Sequence, residues 1–242
     1  MEFIQNLVEY YDELYATTEK QEQFFKTISQ TYSAPLKMLQ IGSGSGSFAI
    51  EAAKQGFDVT GIEMSQALLD SASLKRRNQL LSLRFFKLST VEMTKFLGKS
   101  FYNILICLNN RLCFLREKSL MPQFFADAKS LLSENGTLVL QLLNYEFFKA
   151  SGSQPAPRKS IRASLLSKLT FAENEKTLLS QQIETGNGKI LPIVENEQIY
   201  PLTKEELCEF AKEAGFSTIK LYSDFSGTEL TPDSEEIIAV IS

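Results

Sequence analysis

The chain has 242 residues, 43% of them hydrophobic and 22% charged, enough to bury one large core with a modest insertion. Its 25 basic and 29 acidic residues leave a formal charge of −4, which gives no electrostatic footprint for DNA or RNA. It has no histidine, which removes Ser-His-Asp triads, histidine bases and imidazole metal sites together. The cysteines Cys107, Cys113 and Cys208 are odd in number and lack metal-type spacing, and no signal-like segment opens the chain. These features predict a reduced, cytoplasmic protein without a metal site. No apolar run approaches the roughly 20 residues that a membrane helix needs.

Residues 2–30 carry apolar groups at Phe3, Leu7, Tyr10 and Leu14 and again at Ile4, Val8, Tyr11 and Tyr15, a period that predicts a leading helix. From Lys37 the pattern becomes strand 37–41, helix 46–55, strand 57–62 and a helix that Ser65 caps. Strands are predicted at 82–88, 102–108 and 136–143, and Lys75-Arg76-Arg77 reads as a solvated helix end. Before the last of these strands, Leu120, Phe124, Ala128 and Leu131 line a helix that Asn135-Gly136 would stop. The alternation implies a mostly parallel sheet covered on both sides.

Residues 150–160 are small, polar and punctuated by proline, which predicts a mobile loop. Residues 161–200 then alternate around Leu165 to Phe171, Thr177 to Glu184 and Lys189 to Ile199, with a turn at Gly186-Asn187-Gly188. The expectation is one domain over 1–242, with an antiparallel insertion at 150–200 that serves as a substrate lid or a dimer contact. Thr203 and Glu206 form a capping box, Gly215 stops that helix, and strands near 217–224 and 235–241 close the chain.

Function is carried by Met38-Leu39-Gln40-Ile41-Gly42-Ser43-Gly44-Ser45-Gly46-Ser47, an apolar strand running through alternating glycines into a helix. Such a turn brings bare backbone and a helix N-terminus to a nucleotide cofactor. The glycines follow G-x-G-x-G, whereas the dinucleotide fingerprint is G-x-G-x-x-G. Glu63, at the end of the second strand, has the position and chemistry to accept ribose hydroxyls.

These segments resemble the first two motifs of the class I S-adenosylmethionine-dependent methyltransferases, which have a seven-stranded Rossmann-like sheet. Phe101 to Asn110 resembles that class's fourth strand, and Leu132 to Leu138 the turn into its fifth. The resemblance spans 37–143 and returns at 203–242. Short strings, Tyr11-Asp12-Glu13-Leu14, Leu143-Asn144-Tyr145 and Leu221 to Phe225, are similar to the small-molecule branch that includes glycine and sarcosine N-methyltransferases.

The resemblance implies that Gly42, Ser43, Gly44 and Gly46 pack against the methionine part of the cofactor, with Tyr11 over its carboxylate. It implies that Glu63 binds the ribose, that Met64, Leu88 and Ser89 border the adenine, and that Leu108 and Asn109 receive the ammonium. Gln40 and Leu88 stand where the class usually has acids, a loss of about 1 kcal/mol per contact. Arg111, Asn144 and Tyr145 follow the C-terminal ends of predicted strands and are the expected substrate contacts, with Tyr200 and Tyr222 secondary. The expected reaction is methyl transfer to a small molecule, an amine being one candidate, by in-line displacement. If a base is needed, Glu146, Asp224 or a tyrosine is available, and none is singled out as catalytic. A catalytically degenerate binding protein and an NAD-dependent oxidoreductase remain alternatives, and a homodimer is compatible with the insertion.

Overall fold

The computed structural model of the chain describes residues 3–76, 82–172 and 176–242. Helices α1 (Gln5–Val8), α2 (Tyr11–Leu14) and α3 (Glu19–Ser29) lead into strand β1 (Lys37–Ile41), α4 (Ser47–Lys54), β2 (Asp58–Glu63) and α5 (Gln66–Arg76). There follow β3 (Leu83–Lys87), α6 (Met93–Phe96), β4 (Tyr102–Cys107), α7 (Leu120–Leu131), β5 (Leu132–Leu143) and α8 (Tyr145–Ser151). Strands β6 (Arg158–Lys159), β7 (Ala163–Phe171), β8 (Thr177–Thr185) and β9 (Ile190–Ile199) precede α9 (Lys204–Glu213), β10 (Ile219–Tyr222) and β11 (Glu236–Ile241).

Seven strands form one sheet in the order β10-β11-β5-β4-β1-β2-β3. Strands β1 to β5 are mutually parallel, and β11 runs antiparallel between β5 and β10. The uninterrupted run Ile104-Leu105-Ile106 is fully buried because β4 is covered on both faces. On one face Leu39, Leu105 and Leu140 pack against Phe125 of α7 and Leu207 of α9. On the other, Met38, Ile106 and Val139 meet Phe25 of α3 and Ala49 and Ala53 of α4.

The leading helical segment is divided in three. The apolar period lapses at residues 17–23, which are all polar, and Thr18 is extended, its side chain accepting from Gln21 N while the Gln21 side chain accepts from Thr18 N. This capping box restarts the chain as α3. Helix α7 ends one step before Leu132, whose backbone is already extended, so Asn135-Gly136 lies inside β5, where Asn135 has φ 61° beside a register shift opposite β4. Ser65 caps α5 weakly, its hydroxyl accepting from Leu68 N at 3.4 Å, and of the basic run Arg77 lies outside the described residues.

The insertion is a second, antiparallel sheet in the order β6-β7-β8-β9. Its inner residues Leu165, Ile183 and Ile193 pack with Leu7 of α1, Tyr11 and Leu14 of α2 and Leu68 of α5. The loop ahead of it is tied down: Gln154 donates to Leu169 O at 3.1 Å and accepts from Leu169 N at 2.6 Å. Among the described residues, no helix is long and apolar enough to cross a membrane.

Candidate active site

All three loop glycines have positive φ: 67° at Gly42, 57° at Gly44 and 80° at Gly46. Only glycine accepts this without steric cost, and the absent side chains let neighbours approach. A Cβ on Gly44 would run into the Tyr11 hydroxyl, and one on Gly42 would meet Arg111 Cγ at 3.0 Å. Gly46 differs: its missing side chain admits the Phe85 ring of β3, which a Cβ would meet at 2.5 Å. The same ring lies over Gly61 of β2, at 2.6 Å from a Cβ built there.

Glu63 ends β2 and is 8% exposed. Its Oε2 accepts from Gly44 N at 3.0 Å, and Oε1 accepts from Met64 N and Ser65 N, both at 2.9 Å. One carboxylate therefore fixes the glycine loop against the start of α5 while keeping lone pairs toward the adjoining cleft. That cleft holds about 190 Å³ and is lined by Gly42, Glu63, Met64, Leu88, Ser89 and Leu112, among others. Cys107 also faces it, a neutral thiol whose pKa burial pushes up to about 12.

A second cavity, of about 400 Å³, opens at the C-terminal ends of β4 and β5. Its walls include Tyr15, Asn109 and Gln141 on one side, Ser167 and Gln181 of the second sheet on another, and Arg158 and Glu236 at the rim. Arg111 and Phe114 line both spaces and form the partition between them. Arg111 donates to the Tyr11 hydroxyl at 3.1 Å, and its guanidinium carbon lies 5.8 and 5.7 Å from the stacked rings of Tyr11 and Tyr15. Burial opposes its charge, but Tyr11, Tyr15 and Glu63 outweigh burial and hold it above the ordinary arginine range. Burial raises Tyr11 despite the facing arginine, so the phenol stays protonated.

The sheet order, with β11 antiparallel beside β5, departs from the 3-2-1-4-5-6 order of dinucleotide-binding domains. A methyltransferase-domain family profile matches residues 38–136, which includes the glycine loop, Glu63 and the partition. The chain contains a methyltransferase domain. Glycine/sarcosine N-methyltransferase of Aphanothece halophytica is 25% identical to it, with 99% of this chain and 89% of that protein covered. The CcbJ methyltransferase from Streptomyces caelestis shares the fold at TM-score 0.78 and 18% identity, with 99% of this chain and 96% of that one aligned. An S-adenosylmethionine-dependent methyltransferase from Clostridium acetobutylicum also aligns at TM-score 0.78 and 13% identity, covering 98% of both chains.

The methyltransferase has residues that fit its cofactor. The bare backbones of Gly42 and Gly44 let Arg111 and Tyr11 close over the loop, and the smaller cleft combines the Glu63 carboxylate with apolar Met64 and Leu88. Buried Gln40 Oε1 and Ser43 Oγ beside the loop, and Arg111 Nε, have no partner among the described residues.

Of the expected substrate contacts, only Arg111 reaches the larger cavity. Asn144 instead caps α8 by accepting from Phe147 N and donates to Ser234 O at 2.8 Å, which uses both ends of its amide. Tyr145 is 3% exposed and its hydroxyl accepts from Asn110 at 2.7 Å, in a core beside Cys113. Gly46 packs against Phe85 of β3 and is not among the residues that line the smaller cleft.

Glu146 lies on another surface beside Glu205, and Asp224 caps a turn through Ser226 N and Thr228 N. Tyr200 donates to Glu206, and Tyr222 packs on Phe24. Gln141 and Glu236 line the cavity instead. Gln141 Oε1 accepts from Asn109 N at 3.0 Å, and its amide donates to Glu236 Oε2 at 2.9 Å. The sequence does carry a signal for Gln141, a lone amide within Leu138-Val139-Leu140-Gln141-Leu142-Leu143.

Proposed function

We propose that the enzyme methylates a small amine held in the larger cavity. The observation that carries this reading is the Glu236 carboxylate at the rim of a cavity that Arg111 and Phe114 share with the cofactor cleft. About 400 Å³ lies in the range of small-ligand sites, some 300–1,000 Å³. The name of the glycine/sarcosine N-methyltransferase relative supports an amine.

In this reading Gly42, Gly44, Tyr11 and Arg111 hold the methionine part of the cofactor, Glu63 the ribose, and Met64, Leu88 and Ser89 the adenine. Ser43, Leu108 and Asn109 border them, and Gln40 lies beneath the loop. The bound cofactor supplies a methyl group already activated on a sulfonium. The protein's part is to bind the amine, orient its lone pair and exclude water.

Glu236 Oε1 lies 3.9 Å from Arg158, a loose pair that leaves the carboxylate able to attract an ammonium and take its proton. Gln141 aims that carboxylate and at the same time fixes the Asn109 backbone. The second sheet, together with α1 and α2, forms the lid.

Release of S-adenosylhomocysteine, measured across a panel of primary and secondary amines, tests the reading. Turnover is expected with at least one amine, and Glu236→Gln should lower kcat/KM at least tenfold while S-adenosylhomocysteine affinity stays within twofold. Cofactor binding without turnover of any amine would overturn the acceptor assignment.

A further inference from the structure

Between its two ends, the inward face of the second sheet is apolar except at its centre. Along β7 the inward positions are Ala163, Leu165, Ser167, Leu169 and Phe171; along β8 they are Thr177, Leu179, Gln181, Ile183 and Thr185. Ser167 and Gln181 are directly paired across the two strands, and the Gln181 amide donates to Ser167 Oγ at 2.9 Å. Leu165 opposite Ile183, and Leu169 opposite Leu179, are buried on either side of the pair. A polar pair flanked by buried apolar pairs breaks the alternation that an inward sheet face requires.

The neighbouring strand is built around the same residue. Gln181 is opposite Val194, but Leu179 is opposite Glu197 and Gln182 is opposite Pro192, so β9 carries an extra residue on each side of Gln181. Asn196, with φ 48°, forms part of the first irregularity and is pinned by its N–H donating to Ser180 Oγ at 3.0 Å. Bulges re-aim side chains beside functional sites, and these two flank the inward amide that lines the larger cavity.

We propose that Ser167 and Gln181 select the acceptor by hydrogen bonding a hydroxyl group on it, so that the substrate class is a small amino alcohol. After their mutual bond, the Ser167 hydroxyl hydrogen and Gln181 Oε1 have no partner among the described residues. The Ser167 O–H donor thus stands beside the Gln181 Oε1 acceptor, and a hydroxyl group satisfies both. The pair adds no charge to this wall, which favours a neutral polar group over a carboxylate at that end of the acceptor. This inference rests on the amine reading of the site, with the acceptor's nitrogen toward Glu236 and its hydroxyl toward the sheet.

The test compares isosteric pairs, ethanolamine against propylamine and 2-aminocyclohexanol against 2-methylcyclohexylamine, by S-adenosylhomocysteine release. The unaltered enzyme is expected to prefer the hydroxylated member of at least one pair by about tenfold or more in kcat/KM. Gln181→Leu should remove or invert that preference, and Ser167→Ala should reduce it. S-adenosylhomocysteine affinity, read by calorimetry, should stay within twofold in both variants, which confirms an intact fold. A preference that survives in Gln181→Leu, or turnover of the amines without any preference, would overturn the selecting role and leave the amine reading standing. Failure to methylate any of the four amines would overturn the amino-alcohol class; turnover of other amines in the wider panel would still sustain the broader reading.

Discussion

Glycine serves two different ends within a few residues of this loop. At Gly44 an added Cβ meets the Tyr11 hydroxyl that also bonds Arg111, whereas at Gly46 it meets the core ring of Phe85. Gly44→Ala should therefore cost about 1–3 kcal/mol through the left-handed backbone and the displaced tyrosine, and should weaken S-adenosylhomocysteine at least tenfold. Gly56→Ala is the control: φ is 96°, but nothing lies within 4 Å, so thermal stability should fall while affinity holds. Calorimetric titration and melting curves of both variants check this. Sequence spacing made the loop legible but could not sort its glycines, because a missing side chain looks the same whether a ligand or a phenylalanine needs the room. Asn144 and Tyr145, expected at the substrate, line neither cavity for a related reason: following a strand end fixes a residue's position, while capping and core hydrogen bonds decide where its side chain points.

At the scale of elements, apolar runs and capping signals were enough to find β1, β4, the second sheet and α9, because burial on one or both faces writes itself into the residue pattern. The break before α3 was missed because apolar residues resume at helical spacing with Phe24, Phe25 and Ile28, although residues 17–23 are polar and Thr18-x-x-Gln21 is itself a start signal. Thr18→Ala should cost about 1 kcal/mol and lower Tm by roughly 2–4 °C.

Helix α2 is held by Asp12, which accepts from Ser45, from Ser47 at 2.6 Å and from Lys75 at 2.6 Å. Burial raises the Asp12 pKa, but these bonds outweigh it and leave the carboxyl below its usual value of 3.8. A depressed folded pKa adds stability that is complete above 3.8 and is lost as pH falls through the lower folded value. Asp12→Asn should thus melt below the unaltered protein at neutral pH, with the gap closing in acid. A gap that persists unchanged well below the aspartate range would contradict the assignment.

Across the whole molecule, the second sheet and the glycine loop are coupled through one apolar cluster. Ile183 and Leu165 on the sheet pack with Leu7, Leu14 and Tyr11, and Tyr11 in turn stands over Gly44 and receives the Arg111 hydrogen bond. A change confined to the sheet should therefore reach both ligands. Ile183→Ala deletes a fully buried side chain and should destabilise by about 2–4 kcal/mol. Loosening α2 also unseats Tyr11, so S-adenosylhomocysteine affinity should fall several-fold although Ile183 does not line the cleft beside Glu63. Leu207→Ala supplies the comparison, since Leu207 is equally buried but belongs to the cluster of α7 and α9 on the far face of the main sheet. Its stability loss should be similar and its effect on affinity small. Denaturant unfolding and calorimetry on the two variants separate the outcomes: equal affinity loss in both would reduce the coupling to general destabilisation, and loss in Ile183→Ala alone would establish the lid as part of the cofactor site.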